Sequence, residues 1–347
     1  GITLNVDWSG TATYTGNLTN VDALKISSGT MTVTDNILGT LPTTGAGNIV
    51  VQVDTNSSQD FSNLSLTGIE TIQFTGNSTF SGDFVNSKIV VNSGVTLTTT
   101  MDKLTDKTSN LSGAGNVRLS DASVIASSVN QVAGAVSGVV TATVSADTAA
   151  NLNTNLVNAT ASDVLTLTLT DTILASGSNL ISLNGKTSVD INATSVTSIT
   201  DTYTNINTIY NGTGISGLGN EAVTISDTTN ATNVNGILNK TTGIVTAIVT
   251  ADIAANLNTG LVNATATDAL TLTVNGAIAT AADLISLDGK TSVAISVTAT
   301  AVSGTFADIN TVYVTNSSNY TNLGDETVTI TDTQSATNVN TILNKTS

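Results

Sequence analysis

Apolar and polar residues alternate along much of the chain, as in Val140-Thr-Ala-Thr-Val144 and Leu165-Thr-Leu-Thr-Leu169. A period of two predicts strands with one buried face. An Asp-Thr or Ser-Asp step usually follows such a strand, and then a short run at helical spacing. Ala231, Val234 and Leu238 stand at i, i+3 and i+7 and share one helix face. Asp227 or Thr228 is placed to cap that helix. The predicted unit is therefore a strand followed by one or two helical turns.

These units belong to a larger repeat. Residues 139–243 begin VVTATVSADTAANLNTNLVNATASDVLTLTLT, and residues 244–347 begin IVTAIVTADIAANLNTGLVNATATDALTLTV. The match continues through LISLNGKTSV against LISLDGKTSV and closes on NVNGILNKTT against NVNTILNKTS. Two super-repeats of about 105 residues thus follow one another without a linker. Within the first, small units open near Val139, Val164, Val189 and Ala222; within the second, near Ile244, Ala269, Val293 and Thr327. A unit this small buries its apolar face only by stacking on its neighbours, which sets equivalent strands side by side in parallel. The expected fold is a repeat solenoid, a parallel β-solenoid built of strand-plus-short-helix coils and continuous from about residue 117 to 347. Residues 117–138, with VRLSDASVIASSVNQV, form a partial repeat at a junction. Residues 1–116 have a looser grammar: Leu18-Thr-Asn-Val-Asp-Ala-Leu-Lys-Ile26 matches Leu66-Thr-Gly-Ile-Glu-Thr-Ile-Gln-Phe74 in its apolar offsets. This region is expected to be an irregular parallel β-helix with little helix. Alternation under way at Gly1–Val6 and still running near Leu343 predicts an excerpt of a longer polypeptide.

Composition narrows the function. Of 347 residues 39% are hydrophobic but only 3% aromatic, so small branched side chains must fill the core. Pro42 is the single proline; Gly, Asn, Asp and Ser make the turns instead. Nine Lys and Arg against 25 Asp and Glu give a formal charge of −16, and Arg118 is the lone arginine. Nucleic-acid binding needs clustered cations and is excluded on that ground. With no His and no Cys, disulfides and thiolate or imidazole metal sites are excluded too. No run of about 20 apolar residues occurs, so no transmembrane helix is expected.

LTGIETIQFTG (66–76), VSADTAANLN (144–153) and VTISDTTNATNVNGIL (223–238) resemble segments of large secreted proteins of Gram-negative bacteria and cyanobacteria. These are the hemolysin-like, RTX-type surface-layer proteins and the giant repeat adhesins. The resemblance covers nearly the whole chain and lies in its repeat grammar. It implies type I secretion to the cell surface, calcium binding, and assembly into lattices or fibrils. It also implies a secretion signal, and any region that anchors to cell-envelope polysaccharide, outside this chain. The Gly-Gly-x-Gly-x-Asp nonapeptide that holds calcium in such proteins is absent here, which leaves calcium to other residues.

Candidate ligands are the aspartates that recur with the repeat. Asp147 matches Asp252, Asp163 matches Asp268, and Asp121, Asp227 and Asp332 match one another; Glu221 matches Glu326. Such carboxylates serve either as calcium ligands converging between neighbouring coils or as caps and turn formers. Thr141, Thr143, Thr166, Thr168 and Thr170 would form an ice-binding face if neighbouring strands repeated the row; otherwise threonine is an ordinary solvent-facing strand residue. Asn-x-Ser/Thr triplets are abundant, including those at Asn17, Asn63, Asn158, Asn211, Asn263 and Asn319, and a chain this rich in Asn and Thr produces many by chance. Catalysis has no His, no Cys and one Arg to draw on, and residues that repeat answer to structure rather than to a single active centre. The expected role is structural and non-enzymatic: an extracellular protein that assembles with itself into a surface layer or fibre. A rigid spacer within a calcium-dependent adhesin is the alternative.

Overall fold

The computed structural model describes residues 3–174 and 176–346. Two compact bodies divide the chain: Gly1–Thr168 with Ser182–Ile191, and Leu169–Ile181 with Asn192–Ser347. The division runs through the first super-repeat rather than between the two.

In the first body, one sheet pairs Asn5–Ser9, Ala23–Ser28, Thr43–Gly45 and Leu64–Leu66 in that order. A second pairs Ala12–Thr13, Thr30–Thr34, Asn48–Val53, Glu70–Phe74, Lys88–Val91 and Leu111–Gly113. Sheet neighbours are thus separated by a strand that belongs to another sheet, and the paired strands run parallel. Parallel pairing without slip aligns like residues: Val33, Val51, Ile72, Ile89 and Leu111 stand in one register column, all buried. Burying each such side chain contributes about 1.5–3 kcal/mol, so the column is where truncation costs most. The scarce aromatics gather beside it, with Phe61, Phe74, Phe80 and Phe84 buried and ring centroids 4.4–6.2 Å apart. Gly45 and Gly113 take φ of +125° and +124° where the backbones of Ile26 and Val91 leave no room for a Cβ. The expected opening strand begins at Asn5, with Gly1 and Ile2 outside the described residues.

A third sheet of the first body, Ser78–Thr79, Thr96–Thr99, Asn116–Leu119, Val140–Thr143 and Val164–Thr166, carries the ladder into the super-repeat. Its threonines do not form a continuous row. Thr143 opposes Thr166, but Thr141 stands between Arg118 and Val164.

The second body has a parallel sheet of Ile173–Leu174, Ser198–Asp201, Ala222–Thr229, Val245–Val249 and Ala269–Thr271. Leu174, Ile199, Val223 and Val245 form its buried column. Two further ladders join Thr273–Val274, Ile295–Val297 and Tyr320–Thr321, and Ala279–Thr280, Ala301–Gly304 and Thr327–Ile330. Strands therefore begin within two residues of the expected unit starts. Helices close the space beside the sheets: Tyr203–Asn211 buries Ile206 and Ile209, and Ala281–Asp288 buries Ala281, Leu284 and Leu287.

The helix expected around Ala231 spans Ala231–Leu238, but Val234 and Ile237 are its buried residues, with Ala231 and Leu238 partly buried beside them. Neither Asp227 nor Thr228 caps it. Asn230 is the N-cap, its side chain accepting from Asn233 N at 2.9 Å. The preceding strand runs on to Thr229 through a register shift between Thr224 and Thr228, which turns Asp227 towards other work. No described helix is long and apolar enough to cross a membrane.

Candidate functional site

Five of the seven recurring aspartates hold one repeat unit to another. Asp121 Oδ2 accepts from Met101 N at 2.7 Å, Asp227 Oδ1 from Tyr203 N at 2.6 Å, and Asp332 Oδ1 from Phe306 N at 2.7 Å. Each donor is the first residue of a helix lying 20, 24 or 26 residues earlier. The first N–H groups of a helix have no partner within it, and a negative charge there also meets the positive end of the helix dipole. These aspartates therefore cap the helix of the preceding unit rather than their own. Asp201, which the repeat does not flag because Gly304 stands at the matching position, does the same for Ser178 N at 2.9 Å. Desolvation acts to raise the Asp201 pKa, but hydrogen bonds from Asn205 and from backbone N–H groups outweigh it and leave the carboxyl below its ordinary value.

Asp163 and Asp268 are buried and bridge two units each. Asp163 accepts from Val140 N at 2.7 Å, 23 residues back, and from Thr160 N and Oγ1 at 2.8 and 3.2 Å. Asp268 repeats this with Val245 N at 2.9 Å and Thr265 N and Oγ1 at 2.9 and 3.1 Å. Buried Thr187 and Thr291 work one unit further on. Thr291 Oγ1 accepts from Leu270 N at 3.0 Å and donates to Leu270 O at 2.7 Å, and Thr187 makes the same pair with Leu165. Lys186 and Lys290 complete the pattern at the other helix pole. Their Nζ atoms donate to Leu156 O and Leu261 O at 2.9 and 2.8 Å, the C-caps of Ala149–Asn155 and Ala254–Gly260.

Asp147 and Asp252 act locally: each Oδ1 accepts the next residue's N–H, at 2.7 and 2.8 Å, and an amide from Asn151 or Asn256. Among the described residues no group of three or more acidic side chains gathers to hold a metal ion. The seven aspartates Asp121, Asp147, Asp163, Asp227, Asp252, Asp268 and Asp332 are spread one or two to a unit, each engaged with backbone donors. No protein-family model matches the chain, and no curated protein or solved structure matches it.

Glu221 and Glu326 have a different partner. Glu221 is buried, accepts from Gly219 N and Asn220 N at 2.7 and 3.1 Å, and takes the hydroxyl of Tyr210. Glu326 accepts from Gly324 N at 2.9 Å and from the Tyr313 hydroxyl. Burial first, and then the neighbouring glutamate, push both phenols well above their ordinary pKa, so they stay protonated as donors. The sequence marks the glutamates as recurrent. The tyrosines recur as well, in INTIY and INTVY, but nothing in the spacing pairs them.

Proposed function

We propose that this chain is a structural, non-enzymatic segment of an extracellular protein, a parallel β-solenoid whose role is self-assembly into a surface layer or fibre. The observation that carries the reading is the traffic of hydrogen bonds between units. A helix N-terminus is closed by the next unit's aspartate, a helix C-cap by the next unit's lysine, and a strand start by the next unit's buried aspartate. A unit of this kind is incomplete alone and is completed by stacking, which is the energetic logic of repeat arrays. Chemistry would call for carboxylates gathered at one place, whereas these recur once or twice per unit on backbone donors. The resemblance to hemolysin-like surface-layer proteins supports the extracellular, type I secreted placement and the lattice.

Electron microscopy of the native cell surface, beside light scattering of the purified full-length protein, tests this. The expected outcome is a periodic array or filament on cells and concentration-dependent multimers in solution. A protein that stays monomeric at high concentration, from envelopes without periodic order, would transfer the assignment to an adhesin spacer.

A further inference from the structure

The two super-repeats differ most in length between a matched tyrosine and a matched glutamate. Ile206-Asn-Thr-Ile-Tyr210 matches Ile309-Asn-Thr-Val-Tyr313, and Glu221 matches Glu326, but ten residues (211–220) separate tyrosine from glutamate in the first copy and twelve (314–325) in the second. The longer segment changes the backbone. In the first copy Tyr203–Asn211 is a regular α-helix. In the second, Phe306–Asn310 passes into a π-helical turn, Thr311–Thr315, and then a 3-10 turn, Ser317–Asn319. Such π turns are unfavourable on their own and concentrate at functional sites. The sequence changes with the backbone: Asp288 replaces Asn184, and Tyr320 replaces Ile215.

Two of these departures, Asp288 and the 3-10 turn with Ser318 and Asn319, meet at a cleft of about 610 Å³ whose lining also includes Ser292, Ile285 and Val293. Asp288 Oδ2 accepts amide hydrogens from Asn319 at 3.1 Å and from Asn316 at 3.3 Å. Tyr320 is 5% exposed, and its hydroxyl is buried without a hydrogen-bond partner. Burial and then the charge of Asp288 push that phenol's pKa upward, so it remains a donor. Tyr320 lies outside the lining of this cleft and borders a separate recess of about 230 Å³ with Ser317.

We propose that this cleft binds a neutral saccharide of one or two rings through Asp288, Ser318 and Asn319. A carboxylate beside an amide offers the paired acceptor and donor that adjacent sugar hydroxyls need, and Ile285 and Val293 face the sugar's C–H surface. The volume lies within the roughly 300–1,000 Å³ of small-ligand sites. Anionic ligands meet Asp288 and a chain of charge −16. A calcium ion requires six to eight oxygens, and no three acidic groups converge among the described residues.

The site is independent of the assembly reading and is tested on the full chain by saturation-transfer difference NMR, with millimolar maltose, cellobiose, lactose and diacetylchitobiose as probes. Saturation transfer to at least one disaccharide is expected, weakened about tenfold in Asp288→Asn by loss of a charged hydrogen bond. It should be abolished when residues 314–325 are exchanged for the first copy's residues 211–220. Circular dichroism and melting establish that each variant is folded; if the exchange variant is not, Asp288→Asn decides. No transfer from any probe, or transfer undiminished in a folded variant, overturns the proposal.

Discussion

Tyr210 and Tyr313 each place a phenol against a glutamate within the fold, and the pairing makes stability depend on alkaline pH. Both hydroxyls have their pKa raised above the ordinary value of about 10. Below about pH 10 the tyrosines are protonated in both states, and the stabilisation is complete. As pH rises further the unfolded chain loses protons that the native state retains, so stability declines progressively. Thermal melts should fall away above about pH 10. The double variant Tyr210→Phe with Tyr313→Phe should melt lower at neutral pH, since each lost hydrogen bond costs about 1 kcal/mol, yet show a shallower alkaline decline. An unchanged slope in the double variant would remove these pairs from the account. Asp201 works in the opposite direction. Its pKa is lowered, so its contribution is present above about pH 4 and is lost as pH falls through the native value.

Elements are joined by side chains that reach the preceding unit, and the buried bridges should matter most. Asp268→Ala strips the acceptor from Val245 N, Thr265 N and Thr265 Oγ1 inside the protein. A loss of about 2–4 kcal/mol is expected in urea unfolding, because buried donors are left unpaired. Asp252→Ala, at a half-exposed helix start, should cost only about 0.5–1 kcal/mol. Equal costs at the two positions would contradict the bridging role. The strands themselves were legible in the sequence, since period-two alternation at Val140 and Leu165 reports directly on which face is buried. The destinations of the carboxylates were not. Sequence proximity assigns Asp227 to the helix just after it, whereas its partner, Tyr203 N, lies 24 residues earlier. That partner comes near because Ser198–Asp201 pairs in parallel with Ala222–Ile225 of the next unit, and a single repeat's sequence carries no record of its neighbour's backbone. Asp201 was missed for a related reason: repetition was the signal, and Gly304 breaks it. The cleft at Asp288 was equally hidden, because the two-residue insertion reads as loop variation until the π turn is seen.

At the scale of the whole molecule, charge is the unbalanced quantity. The formal charge is −16, and the ion pairs among the described residues are Lys25–Asp7, Lys103–Asp102 and Lys107–Asp83, all in the first body. Lys290 in the second body and Lys186 in the first are committed instead to helix C-caps. Self-repulsion among the acids therefore opposes folding and is relieved by dissolved ions, with a screening length of about 10 Å at 0.1 M ionic strength. Melting temperature should rise with sodium chloride. Calcium provides the sharper comparison, because screening and specific ligation predict different things. If the aspartates serve as acceptors for backbone N–H groups, calcium and sodium chlorides at equal ionic strength should give coincident melting curves, and chelator should change nothing. If instead Asp121, Asp227 or their counterparts ligate calcium in the folded state alone, calcium would add stability that grows with the logarithm of its concentration. The geometry favours coincidence, since each carboxylate is already engaged by backbone donors and no three converge among the described residues. A calcium-specific rise, abolished by Asp121→Asn or Asp227→Asn, would return these positions to metal binding and tie the proposed surface assembly to calcium outside the cell.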